Sequence, residues 1–560
     1  MMGGVATILA YGAFAADARK PSALPLVEQN VLMVRLADGR LLGGYLRADH
    51  GVQQVAARYS PDNGATWSEA EVLLILTPTP GKWIGLQMLA DSEGELHVFL
   101  LNDAKGDVSE AERAPDVLIG APANRRLDIW HTRSALGRKH WPVPRMIWKG
   151  YTGALNSVIQ MDSGRILLPF SYGTPRSWRK RGDGPDAFTL MGPYNCTVIY
   201  SDDFGQTWHS ADALKCPAAD IVSSYGAVEP VVIQLKDGRV WMLIRTQLGR
   251  FWESLSEDGA TWSPPQPTGI LSSDSPAGLV RLNDGRIVLL WNNCLRFPYA
   301  YGGRHVLHAA ISDDEGKTWR GYREVAKDPK VAQPPPTGGD FGTGYPYPVL
   351  GSSGKVIYCT GQGGGRMMLK VLDPRWLLET SHSADFVNAR EDWSVFGTKG
   401  AQFIRHPDRP EAGALRIAPN DPDWSASAVW NFPAGLSGSL RMKMRIGPRF
   451  GGALIGLTDH FSTPFDLEDR FHNVLNLDVA ADGGLLDAAL APGAWHELRV
   501  DWSVPAGAAT ISVDGEQAGA LPLLRQTAGI CYLRLRALGQ SGDAGGFIIA
   551  SVDVDVTPED

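Results

Sequence analysis

Side chains that could hold a metal, attack an electrophile or carry a proton are spread thinly along this chain. The cysteines, Cys196, Cys216, Cys294, Cys359 and Cys531, lie far apart, and no pair has metal-ligand spacing. Their odd number argues against a disulfide framework, so they read as small buried hydrophobes, and no metal or cofactor is expected. Arg176, Arg179, Lys180 and Arg181 form one basic run, but the chain as a whole carries a formal net charge of −8. The run therefore reads as a solvated loop, and neither nucleic acid nor an anionic membrane is an expected partner. The polar residues that do recur at fixed spacing are Ser, Asp and Thr in the pattern Ser-x-Asp-x-Gly-x-Thr-Trp. It occurs as Ser60 to Trp67, Ser201 to Trp208 and Ser312 to Trp319. A copy shorter by one residue runs from Ser256 to Trp262, and a worn one keeps only Ser134 and Trp141. This chemistry is that of a turn and not of catalysis. Asp and Gly build a tight hairpin, the Ser and Thr hydroxyls satisfy backbone groups, and Trp plugs the space beneath.

The elements that carry these turns repeat as well. Between the boxes come apolar runs joined through Asp38-Gly39, Glu93-Gly94, Ser163-Gly164, Asp237-Gly238, Asp284-Gly285 and Ser353-Gly354. Each reads as a hairpin, with strands such as Val31–Leu36, Ile166–Phe170, Val240–Ile244 and Ile287–Trp291. Glycine (63) and proline (38) together approach a fifth of the 560 residues, as many short strands require. Six units with room for four strands each fit between about residue 25 and residue 380. Repetition of this kind predicts an all-β fold opening with a six-bladed β-propeller, in which radial closure protects strand edges. A stack of separate sandwiches is the alternative, and a motif shared along the whole region argues against it.

The pattern changes near residue 381. No turn box follows Trp319, and alternating strands appear at Leu415–Ile417, Ala428–Phe432, Leu440–Ile446, Gly452–Leu457 and Val474–Val479. Trp495 to Trp502, followed by Ala509 to the Asp514-Gly515 hairpin, resembles the back strands of concanavalin-like (LamG-like) jelly rolls. The expected division is a leader over residues 1–20, a propeller over 21–380 and a β-sandwich over 381–560. The leader rests on the apolar run Val5–Ala16 with Ala13-Phe14-Ala15 as a small-x-small site. That run is too short to span a bilayer, and no other segment is apolar enough, so a secreted or periplasmic protein without membrane insertion is expected.

The box motif and six-unit layout resemble the sialidase (neuraminidase) superfamily of BNR-repeat proteins over roughly residues 25–380. In that family three arginines hold the substrate carboxylate, a tyrosine is the nucleophile, a glutamate activates it and an aspartate is the acid/base. A neutral phenol suits a sugar bearing a carboxylate at the reacting carbon, where a carboxylate nucleophile would be repelled. Arginine suits the clamp because its guanidinium fork is bidentate and permanently charged. The resemblance implies Glu229, in Glu229-Pro-Val-Val, as the glutamate and Tyr345 as the nucleophile, with Tyr347 as a rival. It implies Arg245 and Arg304 as the second and third arginines, and Asn156 in Gly153-Ala-Leu-Asn156 as part of the third blade's rim. Gln29 stands where the first arginine belongs, and Gln54 where the acid/base aspartate belongs. An amide donates a hydrogen bond but cannot act as a general acid. Replacement acids are sought at Asp49 and His50, at Asp103 and Asp107, and at His131.

Three functions follow. One is an exo-glycosidase that releases a terminal acidic sugar, sialic acid or a relative, with Gln29 supplying a weaker third contact to the carboxylate. Another is a lyase or hydrolase acting on uronic-acid glycans, a class favoured by the two glutamines. The third is a propeller that binds acidic glycans without catalysis. The oligomeric state is left open by the sequence.

Overall fold

The computed structural model describes residues 19–557 apart from 78, 80, 106–117, 120–124, 139, 175–192, 218–223, 295–302, 332–340, 385, 389, 463–467 and 541–544. The expected leader up to residue 18, the basic run at 176–181 and Asp107 lie outside the described residues. The first part of the chain forms six antiparallel blades. Blade one consists of Leu32–Arg35, Leu41–Asp49, Val52–Ser60 and Glu71–Ile75. Blade two consists of Lys82–Ala90, Glu95–Lys105, Arg125–Ala135 and Arg145–Lys149, with Leu118–Ile119 added in parallel at its edge. Blade three holds Ile159–Gln160, Ile166–Gly173, Tyr194–Ser201 and His209–Ser210. Blade four holds Val228–Gln234, Val240–Arg245, Arg250–Ser256 and Gln266–Leu271, and blade five Gly278–Arg281, Ile287–Trp291, Val306–Ser312 and Arg320–Lys327.

Blade six is built from both ends of this region. Tyr347–Leu350, Val356–Thr360 and Met368–Leu372 supply three strands, and Ser22–Leu24 supplies the fourth, pairing Ser22 with Val371. The innermost strand of blade one touches those of blades two and six, so the ring is closed. Apolar clusters fill the seams between blades. Leu42 and Val55 of blade one meet Met88, Val98 and Leu100 of blade two, and Leu290 and Ile311 of blade five meet Tyr358 and Leu372 of blade six. These strands read as β because their apolar residues alternate toward the two neighbouring blades.

The boxes close the outer hairpins as their chemistry requires. In blade three the Gly205 amide donates to Ser201 Oγ at 2.7 Å, the Thr207 amide to Asp203 Oδ1 at 2.8 Å and the Thr207 hydroxyl to Asp203 Oδ2 at 2.6 Å. The residue before the box glycine adopts a left-handed backbone in each full copy, with φ 60° at Asn63, 56° at Phe204 and 63° at Glu315. The shortened copy omits that residue and keeps the two amide bonds, from Gly259 to Ser256 Oγ and from Thr261 to Asp258 Oδ1, each at 2.8 Å. Burial works to raise the Asp203 carboxyl, but the Thr207 and Ser201 hydrogen bonds outweigh it and hold Asp203 down at about 2. A carboxylate depressed in this way adds stability that is complete above its ordinary value of 3.8 and is lost as the pH falls toward 2. Asp203→Asn is therefore expected to flatten the acid limb of the stability curve between those values. At neutral pH it should cost about 1–2 kcal/mol, as loss of charge-assisted hydrogen bonds at a partly exposed turn does. Urea unfolding at several pH values measures both effects.

The rest of the chain forms two packed sheets. One runs in the order Ala401–Arg405, Gly413–Ile417, Phe547–Val556, Ser437–Ile446, His496–Ser503, Ala508–Val513 and Glu516–Pro522, with Ser381–Ser383 also on Phe547–Val556. The other runs Trp393–Val395, Ser427–Gly435, Ile530–Ala537, Ala453–Thr458 and Leu475–Val479. Their facing sides share one core that includes Trp430, Phe432, Met442, Ile455, Leu498 and Leu535. This sandwich docks on blade five. Cys294 and Val306 pack against Val429, Phe461, Cys531 and Tyr532 across the seam. All five cysteines are free and buried. Among the described residues no helix is long and apolar enough to cross a membrane, and no group of three His, Cys, Asp or Glu is placed to hold a metal ion.

Candidate active site

The segments that feed the innermost strands meet at one end of the ring, and each blade but the second contributes a polar side chain from this position. Asn30 precedes Leu32–Arg35, Asn156 precedes Ile159–Gln160, Asp274 precedes Gly278–Arg281 and Tyr345 precedes Tyr347–Leu350. Glu229 sits at the start of Val228–Gln234, where the register shifts between Val228 and Val231. Pro230 follows it and has no amide to leave unpaired, so the bulge turns the carboxylate inward without a lost ladder bond. Glu229 and Tyr345 both hold left-handed backbones, with φ 45° and 59°. Such conformations are uncommon for residues of this size and persist where the surroundings over-determine them, often at functional sites.

Arg245 ends the second strand of blade four, opposite Val228, and lies at the centre of the cluster. Its Nη1 donates to Glu229 Oε2 and, at 3.2 Å, to the Tyr345 hydroxyl. Its Nε donates to Asp274 Oδ1 at 2.6 Å and its Nη2 to the Tyr225 hydroxyl at 2.8 Å. The Tyr225 hydroxyl in turn donates to Asp274 Oδ2 at 2.5 Å. Burial works against the Arg245 cation, but the Glu229 and Asp274 carboxylates outweigh it and raise the guanidinium well above its ordinary value. The Tyr345 hydroxyl donates to Glu229 Oε1 at 2.6 Å. Burial, and then the Glu229 charge, push this phenol well above its usual range. Tyr345 is therefore a neutral phenol, and the Glu229 carboxylate stands at hydrogen-bond distance from its proton.

Arg304 lies just ahead of Val306–Ser312 with its guanidinium 5.4 Å from the Tyr345 ring centroid. It donates to Gln362 Oε1 and, at 3.0 Å, to the Asp274 carbonyl. A glycine is required at 342, where φ is 99° and a Cβ would lie 2.3 Å from the Arg304 carbonyl oxygen. Beside Tyr345 opens a cavity of about 370 Å³ walled mainly by aliphatic side chains, among them Val31, Leu46, Leu86, Leu127 and Leu155. No carboxylic acid lines it among the described residues.

A BNR repeat-like domain profile matches residues 75–358, half of the chain, and spans Glu229, Arg245, Arg304 and Tyr345. The protein belongs to the BNR repeat-like family. The sialidases of two strains of Vibrio cholerae serotype O1 are each 28% identical to it over 149 residues, which cover 23% of this chain and 19% of those proteins. The chain thus spans about a fifth of the length of the curated relatives it matches. Among solved structures, a Trypanosoma rangeli sialidase in complex with sialic acid is 12% identical, with 97% of this chain and 95% of that one covered at a TM-score of 0.39. The NanB sialidase of Streptococcus pneumoniae is 14% identical, with 62% and 68% covered at a TM-score of 0.43.

Within this BNR repeat-like propeller the residues expected at the site divide into two groups. Tyr345, Glu229, Arg245 and Arg304 come together. Asn156 stands beside them, with long contacts of 3.5 Å to the Glu229 carbonyl and 3.3 Å to the Tyr347 hydroxyl. Tyr347 is thus one step removed from the cluster. Gln54 is buried and accepts from Arg47 Nε at 3.0 Å across the first blade's central hairpin. Gln29 is exposed and does not line the cavity, whereas its neighbour Asn30, also exposed and with a left-handed backbone (φ 56°), does. Asp49 and His50 occupy an exposed hairpin turn, where the His50 side chain is 98% accessible, so they do not join the site. Asp103 lies at the end of a blade-two strand opposite Lys82 and Leu127, with no bond to Tyr345.

His131 is removed from the site altogether. It is buried further down blade two, 3.0 Å from His97 Nδ1, and lies beneath the Gly205 turn of the next blade. His97 is in turn 3.0 Å from Asp91 Oδ2. Burial, with the neighbouring His97 and Arg145 charges, drives the His131 imidazole well below its ordinary value, so it is a neutral packing group. The residues that sequence reasoning missed are Asp274, Tyr225, Gln362 and Asn30. Asp274 and Asn30 carried a usable signal, since both precede an innermost strand as Tyr345 does.

Proposed function

We propose that this protein is a glycoside hydrolase that removes a terminal acidic sugar from glycans, with Tyr345 as nucleophile and Glu229 as its base. The observation that carries the reading is the 2.6 Å hydrogen bond to Glu229 from Tyr345, which lines the cavity and lies 116 positions further along the chain. Tyr345 Oη attacks the anomeric carbon as its proton passes to Glu229, and the bond to the leaving oxygen breaks. Water then attacks the anomeric carbon and the bond to Tyr345 Oη breaks, with Glu229 returning the proton to the phenol while the proton lost by the attacking water passes to solvent and neutralises the departed leaving-group anion. Arg245 stabilises the phenolate as it forms. Arg304, which donates to the Gln362 amide oxygen, exchanges that bond for one to the sugar carboxylate. Gln54 and Arg47 offer hydrogen bonds but no general acid, so leaving groups that depart as stable anions are favoured. A secreted or periplasmic location, where terminal sugars of glycans are encountered, belongs to the same proposal.

An aryl sialoside tests this directly. Release of the phenol and of the free acidic sugar, lost in Tyr345→Phe, supports the hydrolase. The amide at Gln54 favours a second reading, a lyase or hydrolase on uronic-acid polymers. Its sign is growth of ultraviolet absorbance from an unsaturated product on a uronate polymer, with the sialoside untouched. Silence on both substrates overturns the enzymatic reading.

A further inference from the structure

The sandwich grips blade five next to the active cluster. The strand Ile287–Trp291 runs on into Asn292, Asn293 and Cys294, all buried. On the outer side the Asn293 amide side chain donates to the Asp459 carbonyl at 2.7 Å, and the Asn293 carbonyl accepts from the Phe461 amide at 2.9 Å. Asp459 is itself clamped by Arg525 at 2.6 and 2.7 Å and by the Thr527 hydroxyl at 2.6 Å. The Asn293 backbone amide donates to His308 Nδ1 at 3.2 Å. That bond leaves the His308 proton on Nε2, which donates to the Tyr532 hydroxyl at 2.5 Å, and Tyr532 donates to Glu324 Oε1 at 2.7 Å. Burial, with His460 nearby, pushes His308 down to about 3, in keeping with that neutral tautomer.

On the inner side Asn292 and Cys294 hold the segments that carry the site. The Asn292 side chain donates to Thr343 Oγ1 at 3.0 Å, and both the amide and the hydroxyl of Thr343 donate to the Arg304 carbonyl, at 2.7 and 3.0 Å. Asn292 also accepts from the Ser273 amide at 2.9 Å, and Cys294 exchanges two bonds of 3.0 Å with the Ser273 hydroxyl. Arg304, Asp274 and the strained Tyr345 are thus each reached within two residues of a bond to this segment.

We propose that the sandwich is a positioning element of the active site: through Asp459, Phe461 and Tyr532 it fixes Asn292–Cys294, which set the backbone of Arg304, Asp274 and Tyr345. Asn292, Thr343 and Tyr532 are positioning residues and touch no substrate. A left-handed tyrosine is retained only where its neighbours over-determine it, and the Thr343 hydroxyl, which accepts from Asn292 and donates to Arg304, makes two of the bonds that do so. The catalytic part of this inference rests on the role assigned above to Tyr345. The geometric part does not.

The test uses the full chain with 3-fluorotyrosine at position 345 and follows its ¹⁹F resonance. Thr343→Val and Tyr532→Phe are each expected to shift or broaden the resonance, and Thr343→Ser, which keeps the hydroxyl, to restore it. Leu498→Ala, a truncation in the sandwich core away from the seam, controls for general destabilisation and is expected to leave the resonance in place. On an aryl sialoside, the Thr343→Val and Tyr532→Phe variants should lose about tenfold in kcat with little change in KM, as a small misplacement of a reacting group does. An unchanged resonance in both, or the same change in Leu498→Ala, overturns the proposal. A wild-type protein that cleaves no glycoside removes the reading of the function, while the resonance still decides the positioning.

Discussion

Tyr345→Phe is expected to lower kcat on an aryl sialoside by roughly a thousandfold or more, with KM and folding stability close to wild type. Phenylalanine keeps the ring, and with it the contact to the Arg304 guanidinium at 5.4 Å. It removes only the hydroxyl that donates to Glu229 and accepts from Arg245. Glu229 retains its bond to Arg245, so no buried carboxylate is stranded and unfolding should move by no more than about 1 kcal/mol. Glu229→Gln is the companion variant. An amide cannot take the phenol's proton, so kcat should fall by about 10²–10⁴-fold, the usual contribution of a positioned base. The rate that remains should no longer depend on ionisation of residue 229. Steady-state kinetics of both variants across pH, beside urea unfolding, separates loss of the nucleophile from loss of the base. Equal activity of Tyr345→Phe and wild type would remove Tyr345 from the chemistry.

The blades were legible because their turns have a chemistry that recurs. A box needs Asp to accept from Thr and a glycine at positive φ, and those needs are met by residue type at fixed spacing. Closure of the ring was not legible in the same way. Ser22–Leu24 is a three-residue strand with no alternation of its own, and only its register against Met368–Leu372 defines it. The site was legible only through family resemblance, because Glu229, Arg245, Arg304 and Tyr345 have no local pattern in common. Their convergence depends on radial closure and on two left-handed backbones that spacing does not reveal. The search for a replacement acid failed at His131 and His50 for a physical reason. A ring buried under a neighbouring blade's turn and a ring on an exposed hairpin both look like a single histidine in a β pattern. Asp274 went unremarked because a serine-flanked aspartate reads as a turn until Arg245 is seen beside it.

Arg245→Met should be the most damaging single change in the protein, and its damage should depend on pH. Arg245 is buried between Glu229 and Asp274, with Tyr225 and Tyr345 as further hydrogen-bond partners. Methionine matches much of its length but leaves two carboxylates close together in a poorly hydrated site with no cation between them. Removing one partner of a buried pair typically costs about 3–5 kcal/mol, because the remaining charge is uncompensated. Here both carboxylates lose the same partner. The deficit in urea unfolding should be largest at neutral pH and should shrink as the pH is lowered toward the carboxylate range, since protonation removes the repulsion and restores donors. Adding Asp274→Asn to Arg245→Met should recover part of the loss at neutral pH, and a double-mutant cycle measures the coupling. Kinetics gives an independent reading of the same arrangement. Without Arg245 the Tyr345 phenolate has no cation at 3.2 Å, so the double variant should regain stability but not turnover. A deficit that is the same at every pH would mean that Arg245 acts there by packing and not by charge.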